Sequence, residues 1–358
     1  MGKTLSLVMI VKNEEATLQR CLDSVVKLVD ELIIVDTGSH DSTKKIAKSN
    51  NAKLYDFVWN GSFSDARNFA LQKSTSDWNL VLDADEYMLN DYREPIRSFI
   101  NQNHVLGRIK IISKFTENGE IGYLKSYATR LFPANIQYFG KVHEQIQSDL
   151  PRIKLPVEVQ HDGYFEKNKS TRNIPILQQE IVNNPNDPYY YYQISKEFTG
   201  LQMDHLSFEN LKKAYELLSK KESYAPALIV SYIYAIVSVK DWCEGLKVID
   251  KEQVFLHDYA DYYFVRGVFF MELMISNPVK YYSYLTEIEH SYLKCLEIGE
   301  SESYDCVIGT GSYKAHHNLG VYYEVTGDIN KAVHCYRQSA THLYQPSIDR
   351  LEQINHKY

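Results

Sequence analysis

Short apolar runs alternate with helix-spaced stretches through the first half of the chain, and then the alternation stops. Leu5–Val11 reads as a buried strand, and residues 16–28 place Leu18, Cys21, Leu22, Val25 and Val26 at helical spacing. Residues 31–35 predict a second strand that runs into Asp36-Thr37-Gly38. A helix opens near Asp41-Ser42-Thr43, where small polar side chains can cap free backbone N–H groups. Residues 53–57 predict a third strand, 64–74 a helix and 78–82 a fourth strand. Such alternation implies a mostly parallel sheet covered by helices. Ligands of these sheets sit outside the C-terminal ends of the strands. Three of those ends carry unusual polar residues: Lys12-Asn13-Glu14, Asp36, and Asp83-Ala84-Asp85-Glu86. The pattern brings them to one rim.

From about Asn186 the chain reads as successive helices rich in Tyr, Leu and Ala. In the last stretch Leu319, Gly320, Tyr323, Ala332, Tyr336, Ala340 and Pro346 approximate the spacing of a tetratricopeptide repeat, with Gly327-Asp328 at the inter-helix turn. Ala214-Tyr215 and residues 262–270 point to further units. Such repeats need at least three copies for stability, and about 170 residues hold four or five. Gly309-Thr310-Gly311-Ser312 reads as an inter-helix loop; the Lys-Ser/Thr of a phosphate loop does not follow it. Most of the 29 tyrosines fall in this half, where an aromatic body with a polar tip suits partly buried helix surfaces.

Composition narrows the class. A chain of 358 residues exceeds one ordinary domain. Hydrophobic residues at 44% and charged residues at 24% suit a soluble globular protein, and a net charge of -7 argues against nucleic acid as a partner. No apolar run approaches the roughly 18 residues of a transmembrane helix. The run 5–11 is too short, and too soon followed by Lys12, Asn13 and Glu14, for a signal peptide. Met1 to Ser6 fit the letters of a myristoylation signal, but a strand from Leu5 accounts for them better. Five scattered cysteines without a CxxC pair indicate neither a disulfide framework nor a zinc site, so the expected location is the cytoplasm. No GxSxG elbow is present, and Lys12-Asn13-Glu14-Glu15 stands where a dinucleotide fold would carry GxGxxG. Hydrolase and dehydrogenase chemistry are set aside.

Asp83-Ala84-Asp85 follows the apolar run 78–82. Residues two apart on an extended strand point to one side, so both carboxylates are expected to address one ligand. Hard oxygen donors suit Mg²⁺ or Mn²⁺, which can bridge protein carboxylates to a diphosphate. In sugar transfer a nucleoside diphosphate leaves, and a metal neutralises the charge it develops.

The segments 7–15 and 33–43 resemble the opening of family 2 glycosyltransferases. Phe63-Ser64-Asp65-Ala66-Arg67-Asn68, Leu82-Asp83-Ala84-Asp85-Glu86, Arg130-Leu131-Phe132, Gly140-Lys141-Val142-His143-Glu144, and His161-Asp162-Gly163-Tyr164 with Arg172-Asn173 continue the likeness in order. The resemblance implies an α/β GT-A (Rossmann-like, mostly parallel sheet) catalytic domain over residues 1–168, a connecting helix over 169–185, and an all-α tetratricopeptide-like domain over 186–358. It implies a UDP-sugar donor, UDP-glucose or UDP-N-acetylglucosamine, and a divalent metal. Asp36 is expected to accept the uracil ring N–H. Val11 backbone, Asn13 and Glu14 would line the nucleoside pocket, and Arg67 would lie near uracil or diphosphate. Asp83 would face ribose or a metal-bound water, with Ala84 beside it in the nucleotide-sugar site. Asp85 and His161 would ligate the metal. Family 2 enzymes invert the anomeric centre in one displacement; Glu144 is the favoured general base, with Glu86 and Asp162 as rivals. The two-domain layout also resembles peptide S-glycosyltransferases that modify cysteines of bacteriocin-like peptides. A peptide acceptor and a homodimer through the helical repeats are the expected partners. One alternative keeps the chemistry with a lipid-linked or cell-envelope glycan as acceptor. Another is an inactive, repeat-based adaptor; it predicts damaged donor-site residues, yet Asp36, Arg67, Asp83, Asp85 and His161 are all present.

Overall fold

The computed structural model describes residues 2–101, 105–117, 120–162, 170–302 and 304–357. The chain divides into two compact units, Met1–Glu180 and Ile181–Tyr358.

In the first unit β1 (Leu5–Val11), α1 (Leu18–Val25), β2 (Glu31–Asp36), α2 (Thr43–Ser49), β3 (Lys53–Asp56), α3 (Phe63–Leu71) and β4 (Trp78–Val81) alternate as their periodicity predicts. Then come β5 (Glu86–Tyr87), α4 (Arg93–Ile100), β6 (Leu106–Glu117), β7 (Glu120–Pro133), β8 (Gln137–Phe139), β9 (Gln145–Gln147), β10 (Arg152–His161) and α5 (Ser170–Asn183). The strands line up as β3-β2-β1-β4-β7-β6-β10-β5, while β8 and β9 form a separate antiparallel pair. β3, β2, β1 and β4 run parallel, as do β6 and β10; β7 is antiparallel to both β4 and β6. This is the GT-A arrangement. β1 is buried on both faces, which is why its seven residues are nearly all apolar. Leu5, Leu7, Met9 and Val11 share one apolar cluster with Leu18, Cys21, Leu22 and Val25 of α1. Val8 shares another with Ala70 and Leu71 of α3. At the start of α2, within the expected Asp41-Ser42-Thr43 segment, Asp41 Oδ1 accepts the Thr43 amide at 3.0 Å.

The second unit is an array of tetratricopeptide-like helices: α6 (Pro188–Gly200), α7 (Asp204–Leu217), α8 (Ala225–Val239), α9 (Trp242–Glu252), α10 (Ala260–Ser276), α11 (Pro278–Tyr281), α12 (Leu285–Ile298), α13 (Tyr313–Thr326), α14 (Ile329–Ala340) and α15 (Gln345–Lys357). Among the described residues no helix is long and apolar enough to cross a membrane. Close packing in the last repeat rests on a missing side chain. A Cβ on Gly320 of α13 would stand 2.6 Å from the ring of Tyr336 on α14. Gly267 of α10 makes room for Tyr292 of α12 in the same way, at 2.7 Å. The turn between α13 and α14 uses Gly327 at φ +92°, and Asp328 accepts the Lys331 amide at 3.1 Å to cap α14.

The loop read as Gly309-Thr310-Gly311-Ser312 does join two helices, α12 and α13. It is held by Asp261 of α10, whose carboxylate accepts from Thr310 Oγ1 at 2.5 Å and the Val307 amide at 3.0 Å. Burial pushes the Asp261 carboxyl up to about 6, because these donors offset only part of the desolvation. Its folded value exceeds the unfolded one, so its stabilising contribution is full below about pH 4 and lost as pH rises through about 6. Asp261→Asn should therefore flatten the fall in urea-unfolding stability between pH 4 and 7, by on the order of 2–3 kcal/mol. Equal pH slopes for the two chains would exclude Asp261 as the source.

Candidate active site

Because β2, β1 and β4 are neighbours and parallel, their C-terminal ends open on one rim. The loops after β1 and β2 are stitched together there. Thr37 donates to the Val11 carbonyl through both its amide (2.9 Å) and its hydroxyl (3.1 Å). Asn13, at φ +55°, accepts the His40 amide at 2.9 Å and donates its own to Ser39 Oγ at 2.9 Å. The Glu14 amide reaches Thr43 Oγ1 at 2.7 Å. At the end of β2 Asp36 is 1% exposed. Its Oδ1 accepts the amides of Gly38 (3.0 Å) and Ser39 (2.9 Å) and lies 3.4 Å from Lys44 Nζ. Its Oδ2 is buried with no hydrogen-bond partner among the described residues. Burial pushes the Asp36 carboxyl up, but the Ser39 and Gly38 donors and Lys44 outweigh it and hold the group below the usual carboxylate range.

Asp83 and Asp85 do not share one side of an extended strand, contrary to expectation. β4 stops at Val81, and a turn follows in which the Glu86 amide donates to the Asp83 carbonyl at 3.0 Å and the Asp83 amide to Glu86 Oε2 at 2.9 Å. The two carboxylates consequently meet different partners. Asp83 Oδ1 accepts Arg67 Nη2 at 2.7 Å and Oδ2 accepts Arg130 Nη2 at 3.1 Å. Arg130 Nη2 also donates to Glu86 Oε1 at 2.5 Å, and Arg67 Nε donates to Glu144 Oε1. Burial opposes ionisation of Asp83, yet the two guanidinium groups outweigh it and hold the carboxyl far below its usual range. Glu86 is held above its usual range, by burial first and then by the charge of Asp83.

Each member of this network is delivered by a local device. The antiparallel pairing of β7 with β4, Leu131 opposite Leu80, brings Arg130 to the end of β4. α3 starts where Ser62 accepts the Asp65 amide, and it buries Arg67. Asn68 of α3 exchanges two hydrogen bonds with the Tyr138 backbone, at 2.8 and 2.9 Å, and the Phe63 amide donates to the Lys141 carbonyl at 2.7 Å. That clamp sets Glu144 against Arg67.

Asp85, 5% exposed, looks instead toward His161 at the end of β10, with Oδ1 3.6 Å from Nε2. Pairing of β10 with β5 puts His161 opposite Glu86 and so beside the turn. Burial alone would lower the His161 value; Asp85 beside it, with Glu86 and Asp83, raises it above the ordinary imidazole value. The next residue, Asp162, pairs with Arg20 at 2.7 Å, and Arg20 stacks 3.8 Å from the centre of the Tyr87 ring. Ala84 is buried between the two aspartates. Gly163 and Tyr164 lie outside the described residues.

Asp83 is fully engaged by arginines, which leaves Asp85 and His161 as the pair able to hold a divalent cation. Carboxylate and imidazole together suit Mn²⁺. Among the described residues no group of three or more His, Cys, Asp and Glu side chains could hold a metal. The remaining coordination positions would fall to diphosphate oxygens and water. Two contributors were not assigned roles from the sequence. Arg130 stands inside Arg130-Leu131-Phe132, where a charged residue beside two apolar ones on one strand was the available signal. Ser113, whose Oγ lies 3.0 Å from His161 Nδ1, gave no signal at all.

Residues 6–161 match the family model described as Glycosyl transferase family 2. The first unit carries a family 2 glycosyltransferase domain. A TPR repeat-containing protein of Synechococcus elongatus is 34% identical over 204 residues, which cover 52% of this chain and 50% of that protein. The SPbeta prophage-derived glycosyltransferase SunS of Bacillus subtilis is 27% identical over 243 residues, 63% of this chain and 57% of SunS. The chain spans about half the length of these curated relatives. The solved glucosyl-3-phosphoglycerate synthase of Mycobacterium tuberculosis is similar over 31% of this chain and 44% of its own, at 24% identity and a TM-score of 0.27.

In the family 2 domain the Arg130 guanidinium is shared by the buried Glu86 and the half-buried Asp83. Arg130→Met should cost about 3–5 kcal/mol of unfolding free energy, because Asp83 and Glu86 then face each other with one cation fewer. A loss below about 1 kcal/mol in urea titration would mean that another group neutralises them.

Proposed function

We propose that this chain is a metal-dependent, inverting glycosyltransferase that moves a hexose or N-acetylhexosamine from a UDP-sugar to a peptide side chain, a cysteine thiol or a serine hydroxyl. The observation that carries the reading is the unpartnered Asp36 Oδ2 on the rim of a family 2 domain, on the same edge as Asp85. A uracil ring N–H is the donor that such an oxygen would accept. Val11, Asn13 and Glu14 then border the nucleoside, and Arg67, Asp83 and Ala84 border the ribose and diphosphate.

In this mechanism the acceptor sulfur or oxygen attacks the anomeric carbon as the bond to the diphosphate oxygen breaks, and the configuration inverts. Glu144 takes the acceptor proton: Arg67 holds its Oε1, while Oε2 carries no hydrogen bond among the described residues. A cation held by Asp85 and His161 would neutralise the charge of the leaving diphosphate. With a thiol pKa near 8.5, a cysteine acceptor asks little of its base; a serine asks more. The helical unit is read as the acceptor-binding or dimer-forming surface, since stacked repeats present concave faces suited to extended peptides.

The test is release of UDP from a panel of UDP-sugars with Mn²⁺, with and without EDTA, alongside a cysteine-containing peptide library read by mass spectrometry. A metal-dependent sugar adduct on cysteine is expected, and Glu144→Gln should slow it by about 10²–10⁴-fold without changing UDP affinity. Release without a peptide adduct would move the acceptor to a lipid-linked or envelope glycan, and no release from any donor would favour the inactive adaptor. Asp36→Ala should weaken UDP binding in calorimetry by about 1–3 kcal/mol, the cost of losing a partner for a buried donor. An unchanged dissociation constant would remove Asp36 from the nucleoside pocket.

A further inference from the structure

Ser113 lies directly opposite His161 in the parallel pairing of β6 with β10, so both side chains leave the sheet on the same face. Its companions along that face of β6 are the apolar Ile109 and Ile111, both buried. A hydroxyl in this row is 8% exposed and has His161 Nδ1 as its partner at 3.0 Å. The opposite ring nitrogen, Nε2, faces Asp85 Oδ1 at 3.6 Å. That gap is beyond a hydrogen bond. It is close to the roughly 3–3.5 Å that separates two ligands bound at about 2.1 Å to one cation. For Nε2 to offer its lone pair to a cation, the imidazole proton must sit on Nδ1, where it needs an acceptor. Ser113 Oγ stands at that position.

We propose that Ser113 is a positioning residue of the metal site: by accepting Nδ1–H it fixes the tautomer and plane of His161, so that Nε2 and Asp85 hold one divalent cation together. The proposal rests on the metal-dependent reading above. Loss of an outer hydrogen bond of this kind weakens metal binding by about 10–100-fold in metal sites generally.

The full chain, saturated with UDP, is titrated with Mn²⁺ while free Mn²⁺ is read by electron paramagnetic resonance. Ser113→Val and Ser113→Ala should raise the Mn²⁺ dissociation constant by about 10–100-fold. Ser113→Thr, which matches valine in shape but keeps the hydroxyl, should restore it. In a His161→Ala background, Ser113→Val should add nothing. Wild-type binding of Mn²⁺ with equal affinity in the valine and threonine variants would overturn the assignment of Ser113 and leave the metal-dependent reading standing. A wild-type chain that binds no Mn²⁺ would overturn that reading and this inference with it. UDP affinity measured in EDTA should be the same for all variants; a parallel loss there would mark Ser113 as a packing residue only.

Discussion

The site is organised around one half-buried carboxylate, Asp83, shared by two guanidinium groups. Its oxygens bring together α3 through Arg67 and β7 through Arg130, and those arginines extend the network to Glu144 and Glu86. Desolvating so many charges is unfavourable by itself, and the arrangement is sustained only because each carboxylate has a cation within hydrogen-bond reach. Removing Arg130 would leave the buried Glu86 without the guanidinium that pairs with it. The turn after β4, the start of α3 and the loop carrying Glu144 therefore hold their places together.

That arrangement separates two residues which look alike in the chain. Asp83 is held between two arginines. Asp85, two residues on, faces His161. The turn closed by Glu86 is what divides them, since an extended strand would have aimed both carboxylates the same way. Asp36 is treated differently again: one oxygen is satisfied by the Gly38 and Ser39 amides and the other is left unpartnered. An orphaned carboxylate oxygen at a strand end on the rim is where a ligand's donor would be accepted.

The helical unit obeys a simpler constraint. Rings of Tyr336 and Tyr292 lie where a Cβ on Gly320 or Gly267 would intrude, so helix pairs approach closely and large aromatic bodies fill the core. Polar tips of several of these tyrosines reach acids, such as Tyr336 to Glu324 at 2.9 Å and Tyr215 to Glu252 at 2.6 Å. The tyrosine-rich composition is thus a packing solution.

Local chemistry was legible from the residues alone. β1 spans Leu5–Val11 as its apolar run requires, and the first four strands and three helices follow their periods, because each of these depends on neighbours a few residues away; the polar strand ends meet on one rim because β1 pairs in parallel with both β2 and β4. The hairpin of β6 and β7 was not legible, since its strands mix polar and apolar positions on both faces and its partners are distant. Nor was the use of each charged group. Arg130 meets Asp83 across 47 residues, Ser113 meets His161 across 48, and Arg67 meets Glu144 across 77. Sequence determined which strand ends carry carboxylates; only the tertiary structure decided which groups each of them meets, because a carboxylate's charge and reach are set by what stands within a few ångströms of it, and chain separation says nothing about that distance.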